Sequence, residues 1–125
     1  MYDINMRVLV VDDMQAMIKV VIKILNSLGI NNISTANDGK EALELLDSSS
    51  FDLIISDWNM PNINGLELLK TVRADEKLKH LPFIMLTAES QKEHFLEAIK
   101  AKVTSYISKP FTAEIFKKKL NEIFK

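Results

Sequence analysis

The feature that most restricts the fold of this chain is a repeated alternation of short apolar runs with longer amphipathic stretches. Three runs are continuously apolar, which is typical of parallel strands covered on both faces. Each run is followed by residues with helical spacing, so the pattern predicts five strand–helix units and an α/β fold with a doubly wound parallel sheet. The predicted strands are Val8–Val11, Ile33–Ala36, Leu53–Ile55, Phe83–Leu86 and Tyr106–Ile107. The predicted helices are 14–28, Asn37 or Asp38 to about Asp47, Asn64-Gly65 onward, 91–101 and 113–124, the last with Thr112 as its cap.

Length and composition narrow the class of protein. The 125 residues suffice for one domain with a sizeable core, so we expect a single domain over residues 1–125. The chain has no cysteine, which excludes disulfides, zinc–thiolate sites and thiol catalysis. The net charge of -1 creates no field for nucleic acid, and no apolar run approaches the ~20 residues that span a bilayer. We therefore expect a cytoplasmic protein without a nucleic-acid or membrane partner.

Reactive side chains follow four of the five predicted strands. The first strand ends in Asp12-Asp13, the third in Asp57, the fourth in Thr87 and the fifth in Lys109. In a doubly wound sheet the working site lies beyond the carboxyl ends of the strands, so these residues are expected to converge. Three carboxylates within a few ångströms repel one another and raise each other's pKa unless a cation joins them.

The donor set at this predicted site consists of oxygen atoms only. The two histidines, His80 and His94, lie outside the strand ends. Such a site suits Mg²⁺, which binds carboxylates, waters and phosphate oxygens. A carboxylate can act as a nucleophile and form an acyl phosphate, while fixed cations neutralise the phosphoryl oxygens. Asp57 is the best placed nucleophile, Lys109 supplies a point cation and Thr87 offers a hydroxyl.

Each of these residues also has a structural explanation when it is considered alone. Asp57 or Thr87 could cap the following helix, and Lys109 could be a solvated loop lysine. Asp12 and Asp13 are harder to explain in this way, because only one of them can be a cap. The joint occurrence of the acid pair, Asp57, Thr87 and Lys109 at four strand ends favours the functional interpretation.

These motifs resemble the response-regulator receiver family along essentially the whole chain. The segments that carry the resemblance are Val10–Asp13, Asp57 with Met60-Pro61 and Gly65, Thr87-Ala88 and Lys109–Phe111. The segments Ser56–Asn62, Gly65–Lys70, Arg73–Asp75, Thr87–Glu89, Tyr106 and Lys109–Thr112 resemble its single-domain chemotaxis subfamily more closely. The resemblance implies a flavodoxin-like (βα)5 domain with a five-stranded parallel sheet in the order 2-1-3-4-5.

The resemblance also implies roles for the residues at the strand ends. Asp57 would be the phosphoacceptor. Mg²⁺ would be held by Asp13, Asp57 and the carbonyl of Asn59, with Asp12 acting through a water. Lys109 would bind the phosphoryl group, with a cis peptide bond between Lys109 and Pro110.

Further residues are expected to change the partner-binding surface on phosphorylation or to set the lifetime of the phosphorylated state. By the same resemblance, Thr87 would move toward the phosphoryl oxygens and Tyr106 would swing inward behind it. Asn59 and Glu89 flank the nucleophile, and we hypothesise that they orient or obstruct the water that hydrolyses the acyl phosphate. An unchanged dephosphorylation rate after exchange of both side chains would refute this hypothesis.

The implied function is a phosphorylation-activated two-component signalling switch rather than a dedicated enzyme. It would catalyse only its own Mg²⁺-dependent phosphorylation and dephosphorylation. The phosphodonor would be a histidine kinase, and the expected setting is chemotaxis and flagellar rotation. The expected partners are a flagellar motor switch protein and a phosphatase. The chain itself is expected to be a monomer. The alternative is a stand-alone receiver that acts as a phosphate sink or phosphorelay intermediate without contact to the motor.

Two functions from other classes fit the chain less well. An aspartyl-phosphate phosphatase typically uses an Asp-x-Asp pair and a cap domain, whereas this chain has adjacent Asp12-Asp13 and no length for a cap. An FMN carrier would have a phosphate loop rich in Ser, Thr and Gly after the first strand. Here that loop reads Asp12-Asp13-Met14, which would repel a phosphate without a metal.

Some features lack a role or depart from the family pattern. Lys102 stands past the fourth helix, where the family usually has a glycine in the left-handed conformation. Ile18 and Ile22 are either part of a wide core face with scattered exposed apolar residues or a docking patch for a partner. Phe95 either anchors a surface or packs inward, and Lys117–Lys119 is either a solvated face or a steering patch. The expected core stripe of the first helix is Met17, Val20, Val21, Ile24, Leu25 and Leu28.

Overall fold

The computed structural model describes residues 2–88 and 92–124, and in these two segments strands and helices alternate strictly. All neighbouring strands pair in parallel, and numbered along the chain they lie in the order 2-1-3-4-5, which confirms the predicted doubly wound sheet. Within the described segments, none of the helices has the length and apolar character that a membrane span requires. The strands are β1 (Val8–Val11), β2 (Ile33–Ala36), β3 (Leu53–Asp57), β4 (Phe83–Ala88) and β5 (Ser105–Lys109). The helices are α1 (Gln15–Ser27), α2 (Gly39–Ser48), α3 (Gly65–Ala74), α4 (Lys92–Lys100) and α5 (Ala113–Ile123).

The core has two halves, one on each face of the sheet. Along β1, Leu9 and Val11 pack on the side of α2, α3 and α4, whereas Val8 and Val10 pack on the side of α1 and α5. Because side chains alternate between the faces of a strand, a strand covered on both faces must be apolar throughout. All four residues of β1 are at most 1% exposed, which explains the continuous apolar runs in the sequence.

Side-chain caps set the starts of three helices. The carboxylate of Asp38 accepts a hydrogen bond from the backbone N–H of Glu41 at 2.8 Å, so Asp38 rather than Asn37 caps α2. Asn64 and Glu67 form a reciprocal capping box at the start of α3. Thr112 accepts from the N–H of Ile115 and caps α5. These caps lie where the sequence predicted them.

Three strands are longer than their apolar runs. β3 continues through Ser56 to Asp57, β4 continues to Ala88, and β5 spans Ser105–Lys109. The reason is pairing: Asp57 lies opposite Leu86, and Ala88 lies opposite Lys109. Ladder hydrogen bonds extend these three strands beyond their apolar parts, so Asp57, Thr87 and Lys109 lie within strands rather than in loops.

Of the two interpretations of Ile18 and Ile22 on α1, the wide core face is confirmed and the exposed docking patch is wrong. Ile18 is 4% exposed and Ile22 packs against the core, whereas Val20, which was assigned to the core stripe, is 45% exposed. The helix carries two overlapping apolar stripes with helical spacing, and the sheet covers the one that contains Ile18, Val21 and Leu25. Spacing alone does not say which of the two stripes meets the sheet.

The end of α4 explains how the chain accommodates Lys102. The N–H of Val103 donates to the carbonyl of Ala98, and the N–H of Lys102 donates to Ile99, each at 3.0 Å, which is a Schellman motif. α1 ends in the same arrangement, with Gly29 at φ 87°, whereas Lys102 adopts φ 65°. The helix therefore ends in the standard way, but with a lysine in a conformation that favours glycine.

We expect Lys102→Gly to stabilise the fold. Removing the Cβ relieves the left-handed strain, so the free energy of unfolding should rise by roughly 0.5–1 kcal/mol, the net of that relief and the greater entropy of the unfolded glycine chain. Urea unfolding followed by circular dichroism measures the change. Lys100→Gly is the matched control and should destabilise the protein, because glycine inside a helix costs ~1 kcal/mol. If both variants were less stable than the wild type, the inference that the left-handed backbone at Lys102 is strained would be wrong.

Candidate metal and phosphoryl-transfer site

Three carboxylates meet at the carboxyl edge of the sheet. Oxygen atoms of Asp12, Asp13 and Asp57 all lie within 4.8 Å of one another. Asp12 directly follows β1, and its N–H donates to the carbonyl of Ala36 at 3.1 Å, which extends the ladder by one residue. Asp12 and Asp57 are 2% and 5% exposed, whereas Asp13 is exposed. The predicted convergence of the three acids is therefore present, with one acid facing solvent.

A lysine pairs with the central carboxylate. Lys109, the last residue of β5, places its Nζ 2.7 Å from Oδ1 of Asp57. The two strands are separated by β4, so the long lysine side chain reaches across one strand end. The pair is 28% and 7% exposed at its two side chains, so water screens it only partly.

Two buried oxygen atoms at this site lack partners. Oδ2 of Asp12 and Oγ1 of Thr87 have no hydrogen-bond partner among residues 2–88 and 92–124. Burial raises the pKa of Asp12 from 3.8 to about 6, the N–H of Met14 opposes this shift at 2.9 Å, and the Asp57 charge adds to it. A buried carboxylate with a free oxygen and two acidic neighbours is the environment that a divalent cation compensates. The residues therefore fit a hard cation with oxygen ligands.

Capping does not explain these acids. α3 is capped by Asn64, seven residues after Asp57. Met14 occupies the cap position of α1, and no described side chain caps that helix. Thr87 lies within β4, five residues before the first residue of α4. The structural explanations that each residue allowed by itself thus fail for Asp57 and for both acids after β1.

A glycine holds the loop that follows Asp57. The N–H of Gly65 donates to the carbonyl of Trp58 at 2.8 Å. A Cβ at position 65 would overlap the carbonyl oxygen of Asp57 and lie 2.9 Å from the Cα of Trp58. Only glycine permits this approach, which packs the start of α3 against the residue that carries the central carboxylate.

His94 lies beside this site, although no pattern in the sequence predicts it there. Its ring stacks on Trp58, with the ring centroids 4.0 Å apart and the planes 4° from parallel. Trp58 is 4% exposed, and its backbone N–H donates to the carbonyl of Leu86 at 3.1 Å. The stack joins α4 to the residue next to Asp57, and no spacing rule relates two such distant positions.

The remaining predicted residues lie around the three acids. Asn59 is exposed, two residues after Asp57, whereas Glu89 lies outside the described residues. Tyr106 is half-buried and contacts Phe95 edge to face, with the ring centroids 5.1 Å apart. Phe95 is itself 44% exposed, so it contacts its neighbour and still faces solvent. The peptide bond between Lys109 and Pro110 is cis, as the resemblance implied.

The family comparison agrees with this geometry. The model of the response regulator receiver domain matches residues 8–121. The chain belongs to the response-regulator receiver family. This receiver is 50% identical to chemotaxis protein CheY-3 of Vibrio cholerae over 120 residues, which cover 96% of this chain and 92% of that protein.

Solved structures place the receiver in the same fold. The chemotaxis response regulator CheY4 of Vibrio cholerae superposes with a TM-score of 0.86 at 37% identity, covering 96% of this chain and 99% of that one. The receiver domain of a Pseudomonas aeruginosa sensor histidine kinase has a TM-score of 0.86 at 25% identity, with 97% and 99% covered. That domain is described with a magnesium ion coordinated in its active-site cleft. The receiver is thus of the type found in CheY chemotaxis regulators, and receivers of this type are switches rather than dedicated enzymes.

Proposed function

We propose that residues 1–125 form one receiver domain that accepts a phosphoryl group from a histidine kinase on Asp57. The observation that carries this proposal is the 2.7 Å contact between Lys109 Nζ and Asp57 Oδ1, at the point where three carboxylates converge. Asp57 is the central acid of the sheet edge, and among the described residues it is the acid of this site that is paired with a cation. A carboxylate at such a place can attack a phosphorus atom that approaches from solvent, while the protein offsets charge on the phosphoryl oxygens.

The transfer follows from the groups in place. An oxygen of Asp57 attacks the phosphorus of a phosphohistidine, the new P–O bond forms and the P–N bond breaks. The electron pair of that bond returns to the imidazole nitrogen, which then takes up a proton. Lys109 neutralises charge on the phosphoryl oxygens, and the unpartnered hydroxyl of Thr87 can donate a hydrogen bond to one of them. The product is an acyl phosphate on Asp57.

We propose Mg²⁺ as the cofactor of this reaction. The ligands would be the carboxylates of Asp13 and Asp57 and the carbonyl of Asn59, with Asp12 bound through a water. When bound, the ion supplies positive charge that offsets repulsion between the acids and the phosphoryl oxygens. The all-oxygen donor set and the raised pKa of Asp12 support this assignment, as does the magnesium ion described for the Pseudomonas aeruginosa receiver.

The switch would work through neighbouring strands. Thr87 and Tyr106 lie on β4 and β5, which pair in register. Movement of Thr87 toward the phosphoryl oxygens would let the half-buried ring of Tyr106 pack further inward. The face that would report this change carries exposed apolar side chains on α4 and α5. They are Phe95, Leu96, Ile99 and Ile115.

Hydrolysis would return the switch to its resting state. Water must reach the acyl phosphate from solvent, and Asn59 is an exposed residue two positions after the nucleophile. We propose that Asn59 and Glu89 together set the lifetime of the phosphorylated state.

The output we propose is control of chemotaxis through a flagellar motor switch protein. The similarity to CheY-3 and CheY4 supports this setting. The test is a pull-down of this chain with purified motor switch protein, with and without beryllofluoride and Mg²⁺. We expect retention only when both are present, and Asp57→Asn should abolish the difference. Beryllofluoride that binds the receiver without raising retention would favour the phosphate sink instead.

A further inference from the structure

A second candidate site lies between the carboxyl-terminal ends of α3 and α4. A shallow depression of about 490 Å³ is lined there by His80, two alanines and five cationic side chains. Within the described segments no Asp or Glu lines it, although the whole chain has a net charge of -1. The cationic side chains are Lys70, Arg73, Lys79, Lys100 and Lys102. We propose that this depression, the basic pocket, binds a small multiply charged anion of the oligophosphate class.

The ammonium groups of the basic pocket are largely unpaired. Among the described residues, Lys70, Lys100 and Lys102 form no ion pair. Lys79 pairs with Glu76 at 2.9 Å, but the Glu76 side chain is 87% exposed and the pair is screened by water. Like charges held together without partners repel one another, and a bound anion would relieve this repulsion.

Arg73 donates hydrogen bonds to backbone carbonyl oxygens whose negative partial charge would otherwise face the basic pocket. Its Nε donates to the carbonyl of Lys102 at 2.9 Å, and its Nη1 donates to the carbonyls of Lys79 and Leu81 at 3.2 and 2.6 Å. Its Nη2 donates to the hydroxyl of Thr104 at 3.1 Å. Four of its five N–H donors are thereby used. The guanidinium organises the pocket wall, and the free lysines remain to meet a ligand.

The placement of Lys102 is the second observation in favour of a ligand. Cations near helix ends are often explained by the helix dipole, and this explanation covers Arg73 and Lys100, each in the last turn of its helix. It does not cover Lys102, which lies beyond α4 at φ 65°. At the equivalent position after α1 the chain has Gly29. A strained lysine where glycine would cost less indicates that its side chain has a use.

The class of ligand follows from shape and charge. The five cationic side chains line one open depression between two helix ends, which suits a compact ligand better than a partner that binds along an extended face. Nucleic acid would need such an extended basic face. Lysines bind phosphates as point charges, so three or four of them suit a chain of two or three phosphates. This inference does not depend on phosphoryl transfer to Asp57.

The experiment titrates inorganic tripolyphosphate into the full chain without metal and with EDTA present. Without a cation, the three acids around Asp57 repel phosphate, so binding there is suppressed. We expect saturable shifts of backbone amide signals in segments 70–80 and 100–104 of the NMR spectrum. Parallel titrations with ATP and adenosine show whether the phosphates or the nucleoside are recognised. Tripolyphosphate and ATP should both bind, and adenosine should not. Binding of adenosine alone, shifts centred on Asp57 or the absence of saturable shifts would overturn the proposal.

Two variants of equal charge separate a site from diffuse attraction. Lys70→Gln, Lys100→Gln and Lys102→Gln together should weaken tripolyphosphate binding by at least about tenfold. The control removes three charges elsewhere, by Lys19→Gln, Lys117→Gln and Lys118→Gln, and should change binding by no more than about twofold. Equal losses in both would overturn the proposal.

The single change Lys102→Gly guards against an effect of misfolding. It should yield a more stable protein that binds tripolyphosphate more weakly, an outcome that lost folding cannot produce. Unchanged affinity in this variant, together with unchanged affinity in the pocket triple variant, would show that the lysines serve another purpose.

Discussion

Asp57→Asn is expected to abolish phosphoryl incorporation completely. The substitution keeps the size of the side chain and a carbonyl oxygen for Lys109, but it removes the anionic nucleophile. It also removes one of the three carboxylates that lie within 4.8 Å, so Mg²⁺ should bind more weakly. The measurement is intact-protein mass spectrometry after incubation with an acyl-phosphate donor and Mg²⁺. The wild-type chain should gain one phosphoryl group and the variant none.

The matched control is Asp52→Asn, at the residue directly before the same strand. Asp52 accepts a hydrogen bond from the N–H of Arg7 at 2.9 Å, and asparagine can accept the same bond. This variant should be phosphorylated like the wild type. A full mass gain in Asp57→Asn, mapped to Asp12 or Asp13, would show that the nucleophile had been assigned to the wrong acid. Absence of any gain in the wild type would remove the basis of the proposed function.

The fold could be predicted because its determinants are local. Continuous apolar runs predict covered strands, and Asn64 and Thr112 predict helix starts through side-chain caps, as the structure confirms. The convergence of Asp12, Asp57 and Lys109 could be predicted as well, since parallel strands bring their carboxyl ends to one edge. Both inferences need only the order of the elements and the residues at their ends.

Other features depend on contacts between distant segments and could not be predicted. α1 carries two apolar stripes, and only packing decides that Ile18 is buried while Val20 is exposed. The stack of His94 on Trp58 joins residues that no spacing rule connects. The clustering of lysines in the basic pocket is hidden in a chain with a net charge of -1, because charges along a sequence do not show which of them meet.

Asp12→Asn is expected to stabilise the metal-free protein and to remove part of its pH dependence. Burial raises the pKa of Asp12 from 3.8 to about 6, so the folded state holds this proton more tightly than the unfolded chain does. Stability therefore falls as the pH rises from about 4 to about 6, and at pH 7 the full penalty, roughly 2–3 kcal/mol, is present. Asparagine avoids the penalty and keeps an acceptor for the N–H of Met14.

The measurement is urea unfolding at pH 4 and pH 7, first in EDTA without metal and then in Mg²⁺ without EDTA. Without metal, the variant should exceed the wild type by roughly 2–3 kcal/mol at pH 7 and match it near pH 4. Mg²⁺ should then stabilise the wild type far more than the variant, because binding to the folded state alone adds to its stability. Asp13→Asn is the control: Asp13 is exposed, so its neutralisation should alter metal-free stability by less than about 0.5 kcal/mol. Equal pH dependence in wild type and Asp12→Asn would mean that Asp12 is charged at no cost, and the buried acid would then give no reason to expect a cation at this site.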